Sequence, residues 1–220
     1  MNALHDARSE VLHLAWRLGL YSPPDRRVLE QEILADLASA SDIQTVLFVG
    51  VKWYNARNNE LFGRKTYATI DPDPSAARFG AALHAVDVVQ NLEAHFPGIV
   101  FDAIVMTGVI GWGINDAAEL DRALVACSQA LRPAGWLILG VNELTPNHVD
   151  PTSAPTSSHF APTPFGQHGR TRLDIPLPFK QKLHTFLFWQ RCEPRPQADA
   201  TYGAAEGWPS TRLKSHQPPI

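Results

Sequence analysis

Thr45-Val46-Leu47-Phe48-Val49-Gly50 is a nearly continuous apolar run closed by a glycine. A strand buried on both faces requires such a run, whereas a sheet with one wet face would alternate polar and apolar residues. Lys65-Thr66-Tyr67-Ala68-Thr69-Ile70-Asp71 is β-branched and aromatic and stops at Pro72 and Pro74, which makes it a second strand with a carboxylate at its C-terminal end. A short third strand is expected over Leu83 to Val88. Phe101-Asp102-Ala103-Ile104-Val105-Met106-Thr107 reads as the fourth strand and Trp136-Leu137-Ile138-Leu139-Gly140-Val141 as the fifth. Between those two, Asp116 to Leu131 places Leu120, Leu124, Cys127 and Leu131 on one helical stripe, so Cys127 is expected in the core. Pro133 and Gly135 end that helix.

Strands alternating with helices predict an α/β chain with a mostly parallel sheet, covered on both faces, that binds ligands at the C-terminal ends of its strands. Two helices are expected before the sheet. Leu4, Ala7, Val11, Leu14 and Leu18 mark the first, and Leu29, Ile33 and Leu37 the second, with Ser22-Pro23-Pro24 as the turn between them. Twelve of the 18 prolines follow residue 145, so the last third reads as largely irregular apart from Thr185-Phe186-Leu187-Phe188-Trp189-Gln190, an expected edge strand. Residues 1–193 are read as one domain: a helical preamble over 1–40, an α/β core over 44–142, and loops with the edge strand over 143–193. An irregular tail covers 194–220.

Composition narrows the function classes. Of 220 residues, 45% are hydrophobic and 19% charged, an ordinary globular balance. A net charge of -3 with only five lysines disfavours a general nucleic-acid binder. The N-terminal stretch is charged throughout and no apolar run reaches membrane-spanning length, so a cytoplasmic protein with neither leader nor span is expected. Two cysteines, Cys127 and Cys192, provide neither a disulfide framework nor metal-ligand spacing. No GxSxG elbow is present, which disfavours a hydrolase. Gly108-Val109-Ile110-Gly111-Trp112-Gly113 follows the fourth strand with the spacing GxxGxG, whereas a dinucleotide fingerprint needs GxGxxG after the first.

In order and spacing these elements resemble the class I S-adenosylmethionine-dependent methyltransferases. The resemblance covers residues 44 to 142 and is most specific over Ala130-Leu131-Arg132-Pro133-Ala134-Gly135-Trp136-Leu137-Ile138-Leu139, the family's helix-to-strand segment leading into strand five. It implies a Rossmann-like three-layer sandwich with an antiparallel edge strand near the C-terminus, and S-adenosyl-L-methionine as cofactor. Asp71 would then hold the ribose and Asp87 meet the adenine, while Thr107, Gly108 and Trp112 line the pocket between cofactor and substrate. The departure lies after strand one, where the family's glycine-rich turn is replaced by Gly50-Val51-Lys52-Trp53-Tyr54-Asn55. There Gly50 remains alone, Tyr54 narrows the space, and Lys52 or Arg57 is a candidate to hold the cofactor's carboxylate by charge. His159, His168 and His184 fall in the substrate-side segments and are the candidate general bases. The implied function is methyl transfer to a small molecule, with an aromatic acceptor favoured by Trp53, Tyr54, Trp112, Phe160 and Phe165. The alternative is a relative that keeps the sheet, has lost normal cofactor binding, and serves as a binding or scaffolding module.

Overall fold

In the computed structural model, which describes residues 21–143, 146, 148–167, 169–177 and 182–192, the apolar run becomes β1 (Thr45–Val49), the centre of an eight-stranded sheet. Parallel partners flank it, β2 (Thr66–Ile70) on one side and β4 (Phe101–Thr107) on the other. β3 (Leu83–Ala85) lies outside β2, and β5 (Leu131–Asn142) outside β4. β8 (Lys182–Arg191) runs antiparallel along β5. It is not the outermost strand, because β6 (Phe160–Pro162) and β7 (Arg172–Leu177) pair with its far side at opposite ends. The last third is therefore more regular than its prolines imply. Pro162 and Pro176 sit in β6 and β7, where one strand edge has no described partner and the missing N–H costs no ladder bond.

Alternation along the strands explains why both faces are apolar. Leu47 and Val49 point to one layer with Ile104, Met106, Leu137 and Leu139, which is packed by Leu120, Leu124 and Cys127. Val46 and Phe48 point to the other, with Val105, Ile138 and Phe188, packed by Leu29, Ile33, Leu34 and Leu37. Phe48 and Phe188 are fully enclosed, and such burial stabilises by about 1.5–3 kcal/mol for each side chain.

The second of the expected N-terminal helices is one helical run, α1, composed of Pro24–Val28, Leu29–Ile33 and Leu34–Ser39. Its middle segment is a π turn, a widening that is frequent at functional sites. The first expected helix and the tail after residue 193 lie outside the described residues. Two short helices, α2 (Asn58–Leu61) and α3 (Leu92–His95), connect the strands on either side of β2 and β3. α4 (Ala117–Ala130) begins at Asp116, whose carboxylate accepts the Glu119 N–H at 2.8 Å. It ends three residues before Pro133, and Ala134 turns the chain at φ 56° before β5 rejoins the ladder at Trp136. Cys127 is fully buried, and that burial pushes its thiol up to about 12. Among the described residues no helix is long and apolar enough to cross a membrane.

Asp102 ties three elements together. Its Oδ2 accepts the N–H groups of Gln44 (2.7 Å) and Thr45 (2.9 Å) at the start of β1, and its Oδ1 accepts the Arg132 Nε donor at 2.6 Å. The residues of the β4 and β5 motifs are thus bound to each other.

Candidate active site

A cleft of about 790 Å³ opens where the C-terminal ends of β1, β2, β4 and β5 meet the first turn of α1. That position is the expected ligand crevice of an open α/β sheet. Gly50, Lys52, Tyr54, Asp71, Asp87, Thr107, Gly108, Trp112 and His184 all border it. Arg57 is exposed and does not border it, and neither does exposed His159, whose Nδ1 lies 3.2 Å from Ser128 Oγ on α4. Sequence position alone groups these two with the rest, and the fold separates them. His168 lies outside the described residues.

The floor begins at Gly50. The chain turns there with φ +86°, and a Cβ would come within 2.8 Å of Val109 Cγ2 and 3.2 Å of the Thr107 carbonyl oxygen, so any side chain would be strained. The next N–H, of Val51, donates to Asp71 Oδ2 at 2.6 Å. Asp71 Oδ1 accepts the Asp73 N–H at 2.8 Å, which sets the Asp-Pro-Asp-Pro turn. Asp71 is 4% exposed and so serves the fold directly. A carboxylate offers about four lone-pair sites, which leaves acceptor capacity for a ligand's hydroxyls.

Beyond Gly50 the chain does not continue as an open glycine turn. Lys52 donates its N–H to Asn55 Oδ1 at 2.9 Å, and Trp53–Asn55 forms a single 3₁₀ turn that projects the Trp53–Tyr54 pair, rings 5.3 Å apart, to the cleft. Burial raises the Tyr54 hydroxyl above its ordinary 10, with Arg26 opposing. Arg26 stacks over this ring at 4.1 Å and pairs with Glu30 through Nη2 at 3.0 Å. Its Nε is buried without a partner.

Arg26 belongs to a pattern. Seven buried polar side-chain atoms among the described residues lack a partner, and five of them belong to cleft-lining residues: Asp25 Oδ1, Arg26 Nε, Asn55 Nδ2, Gln90 Oε1 and Thr107 Oγ1. Buried polar groups are nearly always paired, so the cleft concentrates donors and acceptors whose hydrogen-bonding capacity the protein itself does not fill. At the far end Asp87 is already engaged. It accepts Val88 N–H (2.7 Å) and Asn91 Nδ2 (3.0 Å) and faces His95 Nε2 at 2.7 Å, and these contacts, His95 first, hold its carboxyl below the usual range. Gln90, with its unpartnered amide oxygen, is the better-placed acceptor at that end.

Arg26, Gln90 and Asn142 are cleft residues that the sequence reading did not single out. Asn142 was accessible to the logic that found Asp71, because it too ends a strand. Arg26 carried no local signal: only the docking of α1 beside the loop after β1 brings it to the site.

No model of a known protein family matches the chain, and no curated protein matches it in sequence. Solved structures do. The chain is similar to the N-methyltransferase NodS from Bradyrhizobium japonicum WM9 in complex with S-adenosyl-L-homocysteine, with a TM-score of 0.60 at 18% identity over 81% of this chain and 92% of that one. It is also similar to StiE O-MT residues 961–1257 (TM-score 0.53, 15% identity, 76% of this chain and 72% of that one) and to TrmN from Thermus thermophilus (0.53, 15%, 72% and 47%). At these identities the likeness is one of fold, and it places the chain in the Rossmann-like α/β architecture of the methyltransferase structures.

Proposed function

We propose that this protein is an S-adenosylmethionine-dependent methyltransferase that acts on a small-molecule acceptor. The observation that carries the reading is the pairing of Gly50, where any side chain would be strained, with Asp71 in a polar-lined cleft at the ends of β1 and β2, in a fold shared with a methyltransferase solved with S-adenosyl-L-homocysteine. The orphaned polar atoms fit such a ligand, which presents hydroxyls, an amino group, ring nitrogens and a carboxylate. When bound, it supplies a methyl group activated by a sulfonium.

The residues divide the work. Asp71 accepts from the ribose hydroxyls, and Gln90 Oε1 takes the adenine amino group in place of the engaged Asp87. Gly108, at φ +70° with open space where a Cβ would stand, leaves the backbone accessible beside Thr107. The missing glycine amides after β1 are replaced by charge, with Arg26 rather than Arg57 holding the carboxylate and Lys52 at the mouth. Trp53 and Trp112, 38% and 67% exposed at the rim, limit water access once a ligand is seated.

Calorimetric titration with S-adenosylmethionine and S-adenosylhomocysteine tests the assignment, and micromolar binding of both is expected. The second reading, a sheet retained for a binding role without the cofactor, is favoured by the crowding of Lys52, Trp53 and Tyr54 where the family has glycines. Absence of binding by either ligand would decide for it.

A further inference from the structure

On the other side of the cleft, β8 and β5 carry an arrangement that cofactor binding does not use. His184 stands opposite Asn142 in the antiparallel ladder and is 6% exposed. Its Nδ1 lies 3.1 Å from Asn142 Oδ1. An amide oxygen can only accept, so the contact places the ring proton on Nδ1 and leaves the lone pair on Nε2. Nε2 occupies the space above Gly140: a Cβ there would come within 2.9 Å of it and within 2.8 Å of Thr107 Cγ2. The Phe186 ring braces the imidazole edge at 4.7 Å. The charged groups that face the ring are Asp25 and Arg26 from α1 and Glu143 just past β5. Burial lowers its pKa below the ordinary 6.5, with Asp25 and Glu143 opposing and Arg26 adding. The imidazole is therefore a neutral base at pH 7.

We infer that His184 Nε2 is the general base of the transfer and that the acceptor is a phenolic hydroxyl, its ring lying against Tyr21, Pro24, Leu177 and Phe186 of the cleft lining. The inference rests on the methyltransferase reading of the same cleft. These walls are apolar and aromatic, which suits a planar ring. Proton chemistry selects the acceptor atom. An alkylammonium has no lone pair until it has lost a proton, and a neutral imidazole of lowered pKa competes poorly for that proton. A carboxylate needs no base. A phenol keeps a lone pair while protonated, and its weakly acidic O–H becomes strongly acidic as the oxygen is alkylated, so a base placed at the oxygen can take the proton during the transfer. As the oxygen lone pair forms the C–O bond to the methyl carbon, the C–S bond breaks with its electrons staying on sulfur, and the O–H proton passes to Nε2. The positive charge of the sulfonium ends on the imidazolium, which Asp25 and Glu143 face.

The test compares wild type with His184→Gln across phenols of graded acidity, using labelled S-adenosylmethionine, with S-adenosylhomocysteine affinity measured calorimetrically in both proteins. The variant should bind S-adenosylhomocysteine within about twofold of wild type and lose roughly 10²- to 10⁴-fold in turnover on phenol itself. On a nitrophenol that is already ionised at the assay pH, the loss should shrink by at least about tenfold, because no proton remains to be taken. A ring that only filled space would give the same loss on every phenol. Nitrogen-15 NMR of the resting protein should show the Nδ1–H tautomer, titrating below 6.5. Equal losses across the series, an Nε2–H tautomer, or transfer to amines or carboxylates but not to phenols would overturn the assignment while leaving cofactor binding intact. Failure of the wild type to bind S-adenosylhomocysteine would instead overturn the methyltransferase reading, and this inference with it.

Discussion

The side chain of Asp71 reaches across from the end of β2 and accepts the N–H of Val51, twenty positions earlier in the chain, at 2.6 Å. One carboxylate thus holds the loop after β1 and faces the cleft. Asp71→Ala should therefore do two things. Affinity for S-adenosylhomocysteine should fall by about 2–3 kcal/mol, the range for hydrogen bonds to a charged group. The Val51 N–H, left buried, should lower stability by about 1–3 kcal/mol. Urea unfolding and calorimetry separate the two effects, and unchanged affinity in a folded variant would remove Asp71 from the site.

Gly50→Ala should be destabilising without any ligand present. The left-handed backbone at φ +86° and the 2.8 Å approach to Val109 Cγ2 both oppose a Cβ, for a cost of about 1–3 kcal/mol. A chemical denaturation midpoint equal to that of wild type would mean that the loop simply relocates.

Arg26→Ala should discriminate between ligands. If Arg26 pairs with the cofactor carboxylate, S-adenosylmethionine should lose about 1.5–3 kcal/mol, roughly ten- to a hundredfold, relative to adenosine, which has no carboxylate. Arg57→Ala, outside the cleft, should shift neither. Equal losses of both ligands in the Arg26 variant would point to its stacking on Tyr54 as the whole of its role.

Asp102 makes stability depend on acid. Burial pushes its carboxyl up, but the Gln44 and Thr45 N–H donors and the Arg132 guanidinium outweigh that and hold it below its ordinary 3.8. The unfolded chain binds this proton more readily, so the contribution is complete above 3.8 and is lost as the pH falls through the folded value. Asp102→Asn should be less stable than wild type near neutrality, and the gap should close in acid. Denaturant midpoints between about pH 7 and pH 3 measure it, and a constant gap would mean that the carboxylate's charge is immaterial.

The parallel half of the sheet was legible because strands buried on both faces must be apolar throughout, as Val46 to Val49 and Ile104 to Met106 are. The carboxylate ending β2 was legible for the same reason, as polarity at the end of such a run needs an explanation. β6 and β7 were hidden by Pro162 and Pro176, whose placement on the open side of each strand is a tertiary fact. Arg57 is near the altered loop in sequence but does not border the cleft in space. Arg26 lies against Tyr54 only through the fold, because a helix docked from elsewhere in the chain leaves no trace at the loop it covers.

The position of β8 inside the sheet bears on how the protein is made. β8 follows β5, β6 and β7 in sequence, yet β5 has no other described partner on that side. On a growing chain the β5 edge, with Leu137 to Leu139 beside it, stays open until the segment from residue 182 has emerged. At about 5–20 residues per second that interval is roughly two to ten seconds. An unpaired apolar edge invites pairing with a neighbouring chain. Nascent or truncated chains that end before residue 182 are thus the aggregation-prone species, and the late strand acts as the edge's own chaperone.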